Sequence, residues 1–186
     1  MGLRTISDHI VDICQNAVES GAKTIELTIN EKPKETLVIE IKDDGRGIDK
    51  EKLDDIIDPF YTEKNKKIKF GLGLPMLKFA AESTGGTFKI KSKKDKGTTV
   101  KAFFNINNID CQPLGNLAQA LFTILTMSEK TSWNINRVFG DSGYSFSSTE
   151  LRKKLGDDYT SSPSKMKLLY DILVSAEASI GGSEYA

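Results

Sequence analysis

Two runs rich in β-branched residues, Thr24-Ile25-Glu26-Leu27-Thr28-Ile29 and Thr36-Leu37-Val38-Ile39-Glu40-Ile41, face each other across the polar stretch Asn30 to Glu35. That pairing predicts an antiparallel β-hairpin. Just before it, Ile10, Ile13, Cys14, Ala17 and Val18 repeat at helical spacing, with Ser7 placed to cap the helix and Gly21 to end it. A hairpin with one apolar face needs a helical layer to bury it, so this opening already restricts the chain to a layered α/β arrangement.

The remaining segments extend the same pattern. Asp43-Asp44-Gly45-Arg46-Gly47-Ile48 leaves the second strand as a loop, and Asp49 can cap a short helix that Pro59 closes. From Asp58 to Phe70 the chain is charged, carries Lys64, Lys66, Lys67 and Lys69, and predicts a mobile surface segment. A helix follows Gly71-Leu72-Gly73, with Pro75 tolerated in its first turn, and Thr87 to Lys93 and Thr98 to Ile106 predict two further strands. The expected fold class is an α/β two-layer sandwich: a mixed, mainly antiparallel sheet with helices on one face. Composition shifts after Ile106, so residues 1–106 are expected as one domain and 107–186 as a small, mostly helical C-terminal extension. Within the extension, Leu117 to Leu125 repeats at helical spacing and predicts a packed unit or a homodimer contact. Trp133 to Phe139 and Tyr144 to Ser147 predict a hairpin, Ser147 with Glu150 a capping box, and 164–179 a last helix.

Charge excludes some function classes. Lys plus Arg and Asp plus Glu each number 26, so the chain lacks the excess of positive charge that attracts a phosphate backbone, and no nucleic-acid partner is expected. Leu117 to Met127 is too short and too interrupted by polar residues to cross a bilayer. No signal-peptide pattern opens the sequence, and Ile6 stands where a myristoylation site needs Ser or Thr, so no membrane attachment and a cytoplasmic location are expected. Cys14 and Cys111 have no metal-ligand spacing and read as buried reduced thiols.

Three features carry chemistry. Asp12, Asn16 and Glu19 are four and three residues apart, which at about 100° per residue places them within roughly 60° of one another, opposite the apolar face of their helix. In the second, the Asp43 to Ile48 loop, glycines allow backbone to approach a flat ligand closely and an acid can accept a hydrogen bond from an exocyclic amine. In the third, Gly71-Leu72-Gly73-Leu74 opens a helix, whose unpaired N–H groups and partial positive charge suit phosphates.

Taken in order, Asp12-x-x-x-Asn16-Ala17, Asp43-x-Gly45-x-Gly47-Ile48, Asp58-Pro59-Phe60-Tyr61-Thr62-Glu63-Lys64, Gly71-Leu72-Gly73-Leu74 and Gly97-Thr98-Thr99 resemble the ordered signatures of the GHKL ATPases. That group includes DNA gyrase, heat-shock chaperones, histidine kinases and MutL-type mismatch-repair proteins, and the resemblance spans roughly residues 7 to 105. It implies the Bergerat-type ATP-binding fold with ATP and Mg²⁺ as cofactors. Asn16 then matches the Mg²⁺ anchor, Asp43 the acid that recognises the adenine amine, Gly45, Gly47 and Ile48 the backbone beside the base, and Thr98 a water-mediated support of adenine. Lys64 matches a lysine near the phosphates, Gly71, Leu72, Gly73 and Leu74 the phosphate cradle, and Glu19 a neighbour acting through water. Asp12 lines up with a glutamate that activates water in the hydrolysing branches, one methylene shorter here.

The pattern is a hybrid. Asn16 to Ala22 resembles the MutL-like branch, whereas Asp58 to Lys64 followed by Gly71 to Leu74 resembles the histidine-kinase branch. The resemblance implies a free-standing ATPase or a protein kinase acting on a partner or phosphoacceptor protein. The alternative is a non-catalytic ATP-sensing switch that controls partner binding. His9, the only histidine, is expected either to orient Asp12 or to lie at the surface, and not to accept a phosphoryl group.

Overall fold

The computed structural model describes residues 3–57 and 72–182. Helix α1 (Ile6–Glu19) precedes strands β1 (Thr24–Lys32) and β2 (Thr36–Asp43); a 3₁₀ turn at Lys50–Lys52 runs into the single-turn helix α2 (Leu53–Ile56). Helix α3 (Gly73–Ser83) leads to β3 (Thr87–Lys93) and β4 (Gly97–Asn105), and α4 (Leu117–Met127) to β5 (Ser132–Phe139) and β6 (Ser142–Ser147). Helices α5 (Ser148–Leu155) and α6 (Pro163–Ser179) complete the described chain.

The six strands form one sheet in the order β3-β4-β2-β1-β5-β6. Every neighbouring pair is antiparallel except β1 and β5, which run parallel with Ile25 beside Trp133. Because side chains alternate along a strand, Ile25, Leu27, Ile29, Leu37, Ile39, Ile41, Val100, Ala102, Phe104, Trp133 and Ile135 all point to one face and are buried there. The apolar stripes of α1, α3, α4 and α6 cover that face, α4 lying between α1 and α6. The other face is polar, with Lys42 paired to Glu26 and Lys101 to Glu40 across strands. This is the expected two-layer α/β sandwich with a mixed, mainly antiparallel sheet.

Thr5, not Ser7, caps α1: the Thr5 hydroxyl accepts from the Asp8 amide at 3.1 Å, and Asp8 accepts in return from the Thr5 amide at 2.9 Å. Ser7 is displaced from that role because the segment after β4 returns to the start of α1, where Pro113 and Leu114 carbonyls accept from the Ile6 and Ser7 amides at 3.0 and 2.9 Å. The same return buries His9, whose Nε2 pairs with Gln112 Oε1 at 3.0 Å. His9 therefore neither lies at the surface nor hydrogen-bonds Asp12, and burial keeps its ring pKa below the usual imidazole value.

The hairpin expected within residues 107–186 forms, and its first strand extends the sheet through β1. At the end of β1 opposite Thr24 and the Asp44 loop, three charged side chains are buried together. Arg137 is fully buried, with Nη2 on Glu31 Oε2 at 2.5 Å and Nε 3.4 Å from Glu177 Oε1. Tyr144 donates its hydroxyl to that same Glu177 oxygen at 2.5 Å. Charges taken out of water are tolerated only when paired and hydrogen-bonded, so this cluster locks β1, β5, β6 and α6 in one arrangement.

Candidate functional site

One pocket opens between α1, the end of β2, the start of α3 and β4. It is lined by Ile13, Asn16, Ala17, Glu19, Ser20, Asp43, Arg46, Gly47, Ile48, Leu74, Thr98 and Val100. The apolar residues form its floor, and the polar groups converge from separate elements, as expected of a site for a flat, partly polar ligand.

At one end, Asp43 terminates β2 directly opposite Thr98 of β4. Its Oδ1 accepts from the Gly45 amide at 2.8 Å. Burial pushes the Asp43 carboxyl above its ordinary value, opposed by hydrogen bonds from Gly45, Thr98 and Ser20. The chain then turns through Gly47 at φ +63°, where an added Cβ would stand 2.0 Å from the Lys93 carbonyl oxygen, so no other residue fits without moving the β3–β4 turn.

Ser92 holds this corner together, and the motifs gave no hint of it. Its hydroxyl donates to the Gly97 carbonyl at 3.0 Å and accepts from the Ile48 amide at 2.8 Å. Its one proton being spent on Gly97, the Thr98 hydroxyl at 2.8 Å must donate to it. Thr98 is thereby left facing the pocket as an acceptor. The available signal was the inward series Phe88, Ile90, Ser92 along β3, where a hydroxyl interrupts an apolar alternation.

At the other end, Asn16 Nδ2 donates to Asp12 Oδ2 at 3.3 Å. With its nitrogen so committed, the Asn16 Oδ1 has no hydrogen-bond partner among the described residues. An amide oxygen of this kind suits a hard cation that keeps most of its waters and takes other oxygens from phosphate. Glu19 lines the rim and accepts from Gln15 Nε2 at 3.0 Å.

Asp12 lies beyond the pocket lining, pressed against the first turn of α3: a Cβ on Gly73 would fall 1.7 Å from Asp12 Oδ2. Burial raises the Asp12 carboxyl above its ordinary value, while Asn16 and His9 oppose the rise and Glu19 adds to it. Among the described residues no side chain caps α3, and because Pro75 has no N–H and the Met76 amide donates to the Leu72 carbonyl, Gly73 and Leu74 carry the first-turn amides that need a partner outside the helix.

The fold thus brings Asn16, Glu19, Asp43, Gly47, Ile48, Leu74 and Thr98 around one pocket. Gly45 adjoins it through Asp43, and Asp12 meets Gly73 at its edge. Leu72 is exposed; Lys64 and Gly71 lie outside the described residues. Among the described residues no three His, Cys, Asp or Glu side chains are grouped to hold a metal, and no helix is long and apolar enough to cross a membrane.

Residues 4–108 match the family model of histidine kinase-, DNA gyrase B-, and HSP90-like ATPases. Among curated relatives, sporulation kinase C of Bacillus subtilis is 37% identical over 89 residues, covering 47% of this chain and 20% of that protein. Sensor protein KdpD of Clostridium acetobutylicum is 36% identical over 107 residues, 54% of this chain and 12% of that protein. The chain therefore spans a fifth or less of these relatives. The Aquifex aeolicus MutL ATPase domain complexed with ADP superposes with a TM-score of 0.55 at 11% identity, over 84% of this chain and 69% of that one. The N-terminal domain of a DNA repair protein superposes with a TM-score of 0.54 at 16% identity, over 87% of this chain and 58% of that one. With 84–87% of this chain covered, both likenesses run beyond the residues that the family model matches.

Proposed function

Because this chain belongs to the histidine kinase-, DNA gyrase B- and HSP90-like ATPase family, we propose that its ATP-binding module takes Mg-ATP and transfers the terminal phosphoryl group, to water or to a partner protein. The observation that carries this reading is the meeting of the Asp12 carboxylate with Gly73 at the start of α3, Asp12 standing one helical turn from Asn16. The pocket presents the Asn16 amide together with Asp43 and Thr98, and the Asp12 carboxylate meets the first turn of α3 just beyond its lining.

In this reading the adenine lies against Ile13, Ala17, Ile48 and Val100, with its exocyclic amine donating to Asp43. The phosphates run towards α3, whose N–H groups and partial positive charge stabilise anionic oxygens. Asn16 Oδ1 would hold Mg²⁺, which when bound neutralises charge on the phosphate oxygens. Asp12 would take a proton from the attacking water or hydroxyl. Burial raises its pKa, which makes it a stronger base than a solvated aspartate.

Replacing Asp12 by Asn keeps the bond to Asn16 but removes the base. Phosphate release or transfer by the Asp12→Asn protein is expected to fall by about 100-fold or more, with ATP affinity changed little. Unaltered turnover would reject Asp12 as the base, and turnover absent from the wild type with every candidate acceptor would favour an ATP-sensing switch.

Gly73→Ala tests the placement of that carboxylate separately. Among the described residues the new Cβ meets only the end of a rotatable side chain, so the fold should survive, with a Tm close to that of the wild type. The Asp12 carboxylate must move by more than an ångström, and a displacement of that size costs on the order of 100-fold in rate. Single-turnover phosphate release with bound ATP would measure it; a rate within threefold of wild type would show that Asp12 does not act from this position.

A further inference from the structure

Ser20 caps the C-terminal end of α1 and lines the pocket beside the Asp43 loop. An ideal Cβ on Gly45 would stand 1.8 Å from Ser20 Oγ and 2.9 Å from Asp43 Oδ1, so hydroxyl and carboxylate crowd the same point above the Gly45 backbone. The Ser20 carbonyl also accepts from the Arg46 amide at 3.2 Å, tying the end of α1 to the loop that follows Asp43.

The hydroxyl has one proton and two acceptors within reach. One is the Ala17 carbonyl at 2.8 Å, the ordinary local bond of a serine in a last helical turn. The other is the Asp43 carboxylate, which stands beside the hydroxyl over the Gly45 backbone and whose pKa Ser20 lowers. Ala17 does not depend on the serine, because its carbonyl also accepts from the Ala22 amide at 3.3 Å. Turning the proton to Asp43 therefore leaves no orphaned carbonyl behind.

We propose that Ser20 is a positioning residue for base recognition: with the Gly45 amide it pins the Asp43 carboxylate in the rotamer that accepts the exocyclic amine of a purine. The inference rests on the reading of this pocket as an adenine nucleotide site, and deepens it by naming what selects the base. Two donors on one edge of the carboxylate, Ser20 and the Gly45 amide, direct the rest of its acceptor capacity into the pocket, where a 6-amino group satisfies it and a 6-oxo or unsubstituted purine does not. A buried acceptor left unpaired discriminates more strongly than any apolar contact.

The test compares two probes in Mg²⁺ buffer by calorimetry: ATP, and purine riboside triphosphate, which lacks the exocyclic amine. Ser20→Ala is expected to weaken ATP by about three- to tenfold, the loss of one hydrogen bond's worth of positioning, and to leave the purine riboside probe within about twofold. Ser20→Thr, which keeps the hydroxyl, should restore the preference. Since Ser20 holds the Asp43 carboxyl down, the acid limb of ATP binding should also move to higher pH in Ser20→Ala. Equal weakening of both probes would reduce Ser20 to a helix-end bond and overturn the inference, as would no weakening of either. A wild type that binds neither probe overturns the nucleotide reading with it, whereas a wild type that prefers ATP beside an equally selective Ser20→Ala overturns the Ser20 inference alone.

Discussion

Arg137→Met is expected to destabilise the protein by about 3–5 kcal/mol, because it leaves two carboxylates buried without their cation. Glu31 and Glu177 are each about 95% buried and both are paired to that guanidinium. Methionine fills much of the space but donates nothing, and Tyr144 alone cannot compensate Glu177. For a chain of this size the loss corresponds to a fall in Tm on the order of 10 °C, read by thermal denaturation. Nucleotide affinity should hold wherever the protein remains folded: Glu31 is near one end of β1, while Thr24 at the other end adjoins the Asp44 loop, roughly 23 Å away at the usual rise per strand residue. Replacing Glu31 and Glu177 by Gln together with Arg137→Met should recover much of the loss, since no unpaired charge then remains inside. A Tm within 2 °C of wild type for the single variant would show that water reaches the cluster and that it holds nothing.

Asp43→Asn should move two measurements in opposite directions. The folded protein raises the Asp43 pKa through burial, so it favours the protonated form relative to the unfolded chain. The contribution to stability is then complete below the ordinary carboxylate pKa and is lost as pH rises through the raised folded value. Above that raised value the ionised side chain is a cost, and the neutral amide removes it; Tm without nucleotide should there be equal or higher. Binding moves the other way. The Gly45 amide requires an acceptor at the Oδ1 position, which turns the new NH₂ towards the pocket, where it faces the donor of an adenine amine. Loss of a charge-assisted bond of about 1.5–3 kcal/mol weakens ATP by roughly 10- to 100-fold. In the wild type the same ionisation makes ATP binding fall as pH drops through the raised Asp43 pKa. Calorimetry across pH with both proteins checks each statement, and an Asp43→Asn protein that binds ATP as tightly as wild type would remove Asp43 from base recognition. A group that costs stability and serves binding is the usual trade at functional sites.

Much of the fold is legible in local spacing. The β1–β2 hairpin, the Ser147–Glu150 capping box, Pro75 in the first turn of α3 and the α4 stripe all follow from residues a few positions apart, and the elements form where that spacing places them. Asn16, Asp43, Gly47 and Thr98 can be picked out by residue type and order, and the fold gathers them around one pocket. Contacts between distant segments leave no such trace. Ser7 is the cap expected from spacing, and Thr5 takes that role where the Pro113 and Leu114 carbonyls accept from the Ile6 and Ser7 amides. His9 looks like a surface residue until Gln112 closes over it. Ser92 and Ser20 read as filler, because each acts only once a second strand or loop is brought to it.

The sequence by itself determined the elements, the two layers and the family, because hydrogen bonding within a turn or hairpin and the period of apolar residues are set by neighbours in the chain. Only the tertiary structure decided that β5 joins β1 in parallel, that Arg137 meets Glu31 and Glu177 inside the protein, and that the Asp12 carboxylate rests against Gly73. Each of those is a contact between segments tens of residues or more apart, where burial of shared surface and the pairing of buried charge select one arrangement among many that the local pattern allows.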